Sequence, residues 1–271
     1  MPLRDLAPHL EDEIEDADNE TFDLYSNDVG SQNLGFVDAA AQTVEVSLAG
    51  RDVTILQSPG VLASTRAGGT TGAVLWKVTP LFANWLASPS NPLFTTILTP
   101  SSTVLELGCG ISPLNALAIA PRIANYVLSD QNYVQKLLSQ NILANQSSSS
   151  APSASRGSNK RRPGKTVTPA PPQNMIFRAL DWEQDQVSPE LAEPASSYFD
   201  AVVATDCVYN YALVDPFVQT CVDLRNHEVF RAWLGVFMGR FRVWRLRGDV
   251  LPGLGAADGF VVHVGVLKSG K

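Results

Sequence analysis

The apolar residues of the chain fall into short runs separated by segments with helical spacing. Four runs have the length of a buried strand and begin at positions 104, 125, 175 and 199. After the second run, Val134, Leu137, Leu138 and Ile142 recur at intervals typical of a helix packed on a core. Strands that alternate with helices predict a doubly wound, mostly parallel α/β sheet.

Further elements flank these four runs. Residues 43–57 alternate between apolar and polar side chains around Gly50, which predicts a β-hairpin. Residues 73–86 are predicted to be helical, as are two segments between 214 and 238. Two strands, at 241–246 and 260–267, are predicted to close the chain.

A tight glycine turn follows the first apolar run. Gly108 and Gly110 leave the backbone open to a ligand, and Ser112 and Pro113 suit the start of a helix. A dinucleotide-binding turn would have a third glycine where this chain has Pro113, so a nicotinamide dehydrogenase is disfavoured. Glu106 instead forms an E-x-G-x-G pattern, which looks like the first motif of the S-adenosylmethionine-dependent methyltransferases.

A carboxylate lies within or at the end of each of the four apolar runs. Glu106 belongs to the first, and Asp130, Asp181 and Asp206 end the second, third and fourth. In doubly wound sheets, ligands bind outside the carboxyl ends of the strands. One such acid could simply cap a helix, but four together predict a binding site.

The spacing suits the groups of S-adenosyl-L-methionine. Asp130 lies 20 residues after Gly110, a separation at which a carboxylate can bind ribose hydroxyls. Asp181 could accept a hydrogen bond from the adenine amino group. Trp182 either offers a flat face to the adenine ring or packs in the core.

Charge is distributed unevenly along the 271 residues. The net charge is −7, yet residues 1–30 hold ten acids and one Arg, so the rest is close to neutral. We therefore expect residues 1–35 to form a disordered acidic tail, either solubilising or attractive to a basic partner. Residues 36–271 form the predicted methyltransferase domain, and its Ser/Pro-rich segment 146–172 is predicted to be a disordered insert. The near-neutral domain predicts no nucleic-acid partner, although the basic cluster in the insert leaves an RNA contact or a nuclear address open.

Several classes of protein are disfavoured. No apolar run reaches the roughly 18 residues of a membrane span, and the first 30 residues do not resemble a signal peptide. The three cysteines are scattered, and no metal-ligand set is evident. We expect a protein without membrane or metal, located in the cytoplasm or the nucleus.

The chain resembles the seven-strand protein-lysine methyltransferases. The resemblance rests on Glu106-Leu-Gly-Cys-Gly, Asp130, Asp181-Trp182, the Trp76 helix, Phe260-Val-Val-His-Val-Gly-Val and above all Asp206-Cys-Val-Tyr209. The resemblance covers roughly residues 36–271, apart from the insert. The motifs are similar to those of the methyltransferase-like 21 family and its fungal ribosomal lysine N-methyltransferase 5 group.

This resemblance implies a Rossmann-like fold, an S-adenosyl-L-methionine cofactor, a monomer and a ribosomal substrate, the L1-stalk protein of the large subunit. Glu106 and Asp181 are predicted to bind the cofactor. The resemblance adds eight more cofactor-binding residues: Trp76, Gly108, Cys109, Gly110, Asp130, Trp182, Ala204 and Thr205. The implied catalytic residues are Asp206 and Tyr209. A free lysine has a pKa of about 10.4, and a carboxylate would raise that value further. Asp206 is therefore expected to anchor and orient the amine rather than deprotonate it, with Tyr209 fixing its lone pair.

One strand of that fold is missing from the sequence. A helix ending near Asn226 is followed at once by the next, which begins at His227, where the family places strand five. We expect either a hole beside the fourth strand or pairing of the last strand there, with reduced stability and activity. Two rivals remain: a small-molecule methyltransferase, and a variant that binds partners or cofactor without turnover.

Overall fold

The computed structural model describes residues 2–26, 35–66, 69–146, 174–185, 191–192, 199–207, 212–213, 216–217, 219–220, 238–239, 241–258 and 260–268. Their strands are β1 (Leu10–Glu13), β2 (Thr43–Leu48), β3 (Arg51–Leu56), β4 (Thr103–Leu107), β5 (Asn125–Asp130), β6 (Met175–Ala179), β7 (Ala201–Ala204), β8 (Phe241–Leu246) and β9 (His263–Leu267). The α-helices are α1 (Pro2–Leu6), α2 (Ala17–Ser26), α3 (Pro59–Leu62), α4 (Val78–Ala87), α5 (Leu93–Thr96), α6 (Leu114–Ile119) and α7 (Gln135–Gln146).

A parallel four-stranded sheet in the order β6-β5-β4-β7 forms the centre of the molecule. Leu105 of β4 lies opposite Val127 of β5 and Val202 of β7. All five residues of β4 are buried, as a strand covered on both faces requires, and this explains its nearly continuous apolar sequence. The predicted Rossmann-like α/β fold is confirmed.

The two faces of this sheet pack against different groups of side chains. Val104 and Tyr126 belong to a core that also contains residues of α4, α6, α7 and the β2–β3 hairpin. Leu105 and Leu107 face the opposite core, together with Phe217. The sheet is therefore covered on both sides, as a doubly wound fold requires.

The predicted hairpin consists of β2 and β3, paired from Thr43–Leu56 to Leu48–Arg51. Ala49 and Gly50 form its turn with φ angles of 52° and 76°. Two consecutive positive φ angles define the tight turn that matches the twist of the strands.

Two asparagines of α7 hydrogen-bond to the backbone of β3. The Asn141 amide accepts from the Leu56 N–H (2.8 Å) and donates to the Leu56 carbonyl (2.9 Å). One turn later, Asn145 makes the same pair of bonds with Thr54, at 3.0 and 2.8 Å. Asn141 also donates to the Ile111 carbonyl at 2.8 Å, so it connects the hairpin to the segment after the glycine turn.

A second, antiparallel sheet has the order β1-β8-β9. Its first strand belongs to the N-terminal arm, residues 2–26, which the composition predicts to be part of a disordered tail. The arm has long-range partners instead. Buried Glu20 accepts hydrogen bonds from Arg245 Nε (2.6 Å) and His263 Nε2 (2.7 Å). Burial alone would raise the pKa of Glu20, but the bonds from His263 and Arg245 hold that pKa below its usual value.

The last strand does not lie where one alternative placed it. β9 pairs with β8, and β7 is hydrogen-bonded only to β4 among the strands described. Four predicted features lie outside the described residues: the segment where strand five is missing, most of the last predicted helix, Tyr209, and residues 147–172 of the insert. Those expectations stay predictions.

Candidate functional site

The glycine turn lies at the carboxyl end of β4 and requires glycine at both positions. Gly108 and Gly110 have φ angles of 66° and 57°. A Cβ atom at Gly108 would lie 2.7 Å from Cys207 Sγ and 3.3 Å from the Trp182 ring. The missing side chain therefore lets Cys207 and Trp182 pack against the turn, beside a cavity that β4, β5, β6 and β7 share at their carboxyl ends.

A backbone segment crosses this turn and forms one wall of the cavity. The Gly72 carbonyl accepts from the Ile111 N–H at 2.9 Å. A Cβ at Gly110 would approach the same carbonyl to 3.0 Å, and a Cβ at Gly72 would lie 2.9 Å from the Tyr133 hydroxyl. The glycine-rich stretch before Trp76, Gly69–Gly72, is thus a close-packed part of the site.

Asp130 ends β5 at the cavity. One carboxylate oxygen accepts the Gly110 N–H at 2.8 Å, and the other accepts the Gln131 N–H at 2.7 Å. Burial raises the pKa of Asp130 to about 6, while the two backbone bonds and the charge of Arg66 oppose that rise. Each carboxylate oxygen retains a lone pair for a ligand hydroxyl.

Glu106 faces away from the cavity, although the E-x-G-x-G motif predicts it as a cofactor residue. Its carboxylate accepts from Asn115 Nδ2 (2.7 Å) and from the Tyr126 hydroxyl (3.0 Å). Burial raises the pKa of Glu106 to about 7, partly offset by these two bonds. Asn115 Nδ2 also lies 3.3 Å from Thr205 Oγ1. Glu106 therefore connects β4, α6 and β5 behind the turn, because alternate side chains of a strand point to opposite faces.

Trp182 and Asp181 follow β6 and line the cavity. The Trp182 ring packs edge-on against Phe217 at 4.8 Å, which is the core packing considered from the sequence, and the adenine-binding role stays a prediction. Its Nε1–H is buried and has no acceptor among the described residues. Asp181 accepts the Glu183 N–H at 3.0 Å and so also stabilises its own turn.

The end of β7 brings Thr205, Asp206 and Cys207 to the cavity. Asp206 has a φ of 53°, a left-handed conformation that few residues other than glycine adopt. Partial burial raises the pKa of Asp206, although its side chain remains exposed on one side. Ala204 is exposed and is not among the cavity residues. Tyr209 lies outside the described residues.

Trp76 and Cys109 complete the predicted set. Both line the cavity. Trp76 packs against Phe36 with ring centroids 4.4 Å apart and the ring planes tilted by 59°, and its Nε1–H donates to the Thr71 carbonyl at 3.2 Å. Cys109 is buried, and burial raises the pKa of its thiol well above the usual value, so it is a neutral wall residue rather than a nucleophile.

Other cavity residues are not predicted as cofactor or catalytic residues by the sequence. These are Gly69, Thr71, Gly72, Val74, Leu75, Thr79, Ile111, Ser112, Gln131, Tyr133, Leu180, Cys207 and Leu213. Gln131 and Tyr133 directly follow Asp130, so proximity to a predicted ligand residue was an available signal. The Gly69–Gly72 stretch had another signal, its glycine content.

Two kinds of feature are absent from the described residues. None of the helices in the described ranges is both long and apolar enough to cross a membrane. The same ranges contain no group of three His, Cys, Asp or Glu side chains placed to hold a metal ion.

The fold and the cavity together define a class: a Rossmann-like α/β protein with a methyltransferase-type glycine turn. No family model matches the chain. A ribosomal lysine N-methyltransferase 5 from Eremothecium gossypii is 30% identical over 230 residues, which cover 69% of each chain. A protein of that name from Zygosaccharomyces rouxii is 31% identical over 203 residues. The chain belongs to the ribosomal lysine N-methyltransferase 5 family.

Coverage of the relatives is incomplete. The chain matches 60% of the Zygosaccharomyces rouxii protein. A Schizosaccharomyces pombe protein named diaminohydroxyphosphoribosylamino-pyrimidine deaminase is 28% identical over 178 residues, only 36% of its length. Most of that protein lies outside the match, so its name does not specifically describe the part that this chain resembles.

Proposed function

We propose that this chain is a protein-lysine N-methyltransferase that uses S-adenosyl-L-methionine. The observation that carries the proposal is the convergence of the glycine turn, Asp130, Trp182 and Asp206 on one cavity. Membership of a family whose curated relatives are named as lysine N-methyltransferases supports the same activity.

The cavity residues fit that cofactor. Because Gly108 has no side chain, Trp182 and Cys207 pack against the backbone of the turn, and all three residues line the cavity in which the cofactor would bind. The buried Trp182 Nε1–H lacks an acceptor in the described part of the chain, and a bound polar group would supply one. Asp130 would hold ribose hydroxyls, and Trp182 with Asp181 would hold the adenine ring.

The cofactor supplies a methyl group activated by a sulfonium, so the residues of the chain mainly orient the acceptor. In-line transfer depends on alignment of the amine with the methyl carbon. In this proposal Asp206, which lines the cavity after β7, accepts a hydrogen bond from the lysine amine. Its left-handed backbone, strained for a non-glycine residue, supports a functional role. We assign Tyr209 the orientation of the amine lone pair.

Asp206 does not serve as a simple base in this proposal. A carboxylate beside an amine favours the protonated ammonium, which cannot attack. Two effects act in the opposite direction, because both disfavour the ammonium: the exclusion of water by the cavity wall and the positive charge of the cofactor's sulfonium. Anchoring by Asp206 therefore has to be combined with desolvation of the lysine.

The substrate that we propose is a large-subunit ribosomal protein, the L1-stalk protein, and the protein would act as a monomer in the cytoplasm. The names of the relatives support a ribosomal lysine. A non-catalytic or small-molecule-modifying variant would retain the same cofactor cavity.

Methyl transfer from labelled S-adenosyl-L-methionine tests the proposal. Ribosomal subunits from cells that lack the gene are incubated with wild type, Asp206→Asn and Tyr209→Phe, and the modified lysine is located by mass spectrometry. We expect label in one stalk protein, with rates reduced about 100-fold or more in Asp206→Asn because alignment is lost.

Asp200→Asn is the matched control. Asp200 lies at the opposite end of the same strand, where it accepts the Thr103 N–H at 2.8 Å, a bond that Asn can also accept. Its activity should equal that of the wild type. Label in a small-molecule pool, or cofactor binding with no transfer to any ribosomal lysine, would contradict the proposed activity.

A further inference from the structure

Arg66 is a cation at the rim of the cavity whose charge is not neutralised by the described residues. Its Nη1 donates to the Gly69 carbonyl at 3.0 Å and to Gln131 Oε1 at 2.8 Å. Its guanidinium also lies over the Tyr133 ring, 4.3 Å from the centroid. All three of these partners line the cavity.

Neutral groups thus hold the guanidinium in place. No carboxylate in the described ranges forms a salt bridge with Arg66. Of the five guanidinium N–H donors, only those on Nη1 have partners in the described part of the chain. A fixed arginine with free donors is suited to bidentate binding of a carboxylate.

The charge balance of the cavity supports an anionic ligand group at this position. The cavity is lined by the carboxylates of Asp130, Asp181 and Asp206, and none of the described lining residues is a Lys or an Arg. The proposed methyl donor carries an amino-acid carboxylate, which these three acids would repel. The charge of Arg66 already acts on Asp130, so it reaches the site.

We propose that Arg66 binds the amino-acid carboxylate of the methyl donor. This inference rests on the proposed function, since it specifies how the same cavity recognises one end of that cofactor. Tyr133 and Gln131 hold the guanidinium in the orientation required for binding.

The test compares two ligands that differ by one group: S-adenosyl-L-methionine and its decarboxylated form. Calorimetry measures the dissociation constants of both for wild type, Arg66→Ala and Arg66→Met. We expect each variant to bind S-adenosyl-L-methionine at least about tenfold more weakly, as for loss of a charge-assisted hydrogen bond. Their affinity for the decarboxylated ligand should equal that of the wild type.

Arg122→Ala is the matched control. The Arg122 guanidinium lies over the Phe94 ring at 3.3 Å and donates to the Ser88 carbonyl at 3.4 Å, so its local contacts are similar. None of these residues lines the cavity. This variant should bind both ligands like the wild type.

The outcomes separate the two hypotheses. Equal weakening of both ligands would assign Arg66 a purely structural role and overturn the inference, and so would unchanged affinity for S-adenosyl-L-methionine. Arg66→Met retains the stem over Tyr133, so it provides the comparison if the alanine variant does not fold. A wild type that binds neither ligand would instead refute the proposed cofactor, and this inference with it.

Discussion

Replacement of Glu106 by Gln should change how the stability of the protein depends on pH. The buried carboxyl has a pKa of about 7 in the folded chain against 4.5 for the ordinary side chain. Between these values the folded state binds the proton more tightly than the unfolded state. Glu106 therefore contributes stability that is fully present below pH 4.5 and is lost as pH rises through about 7.

The size of the effect follows from the two pKa values. The difference between 4.5 and about 7 corresponds to about 3 kcal/mol. Integration of the difference in bound protons between the folded and unfolded states shows that the free energy of unfolding falls by about 2 kcal/mol between pH 5.5 and pH 8.5. Asp130 acts in the same direction at lower pH, because its pKa is raised from 3.8 to about 6.

A glutamine side chain cannot ionise, so Glu106→Gln should lose this part of the pH dependence. Its amide can keep both contacts, since the Asn115 Oδ1 atom has no hydrogen-bond partner among the described residues and can accept from the new amide after an Asn115 flip. The free energy of unfolding in urea is measured at four pH values from 5.5 to 8.5. We expect the wild type to lose about 2 kcal/mol more than Glu106→Gln over this range.

Glu45→Gln, at an exposed position of β2, is the control and should run parallel to the wild type. Parallel curves for Glu106→Gln and the wild type would refute the reasoning. They would mean that the bonds from Asn115 and Tyr126 stabilise the ionised carboxylate enough to cancel its burial.

The N-terminal arm and the glycine turn give two more predictions. Glu20→Gln, which breaks a buried ion pair, should lower the free energy of unfolding by about 3 kcal/mol and make the arm sensitive to protease, whereas Glu13→Gln at an exposed pair should leave the urea midpoint nearly unchanged. Equal effects of these two variants would contradict an anchoring role for Glu20. Gly108→Ala should weaken binding of S-adenosyl-L-methionine at least about tenfold, because its Cβ would meet Cys207 at 2.7 Å. Gly60→Ala, where nothing lies within 4 Å, should bind like the wild type.

The sequence was informative where local chemistry decides the structure. The apolar run before Gly108 predicts β4 because a strand buried on both faces tolerates few polar residues. The acids Asp130 and Asp206 reach one cavity because parallel strands end at the same edge of a sheet. Neither inference needs knowledge of a distant residue.

The N-terminal arm could not be predicted in this way. Its acidic composition is typical of disorder, but Glu20 finds Arg245 and His263 more than 220 residues further along the chain. Glu106 is a different case, because the motif indicated its importance but not its direction. Whether a side chain of a central strand points into the cavity or into the helix layer depends on the tertiary packing.

The asparagines of α7 have a consequence for the behaviour of the protein in solution. A strand edge with free N–H and C=O groups is a template on which another molecule can add a strand. Asn141 and Asn145 occupy those groups at Leu56 and Thr54 with side-chain amides. An alanine at either position would leave one of these residues of β3 without its side-chain partner, so the two amides take the place that a neighbouring strand would have at this edge.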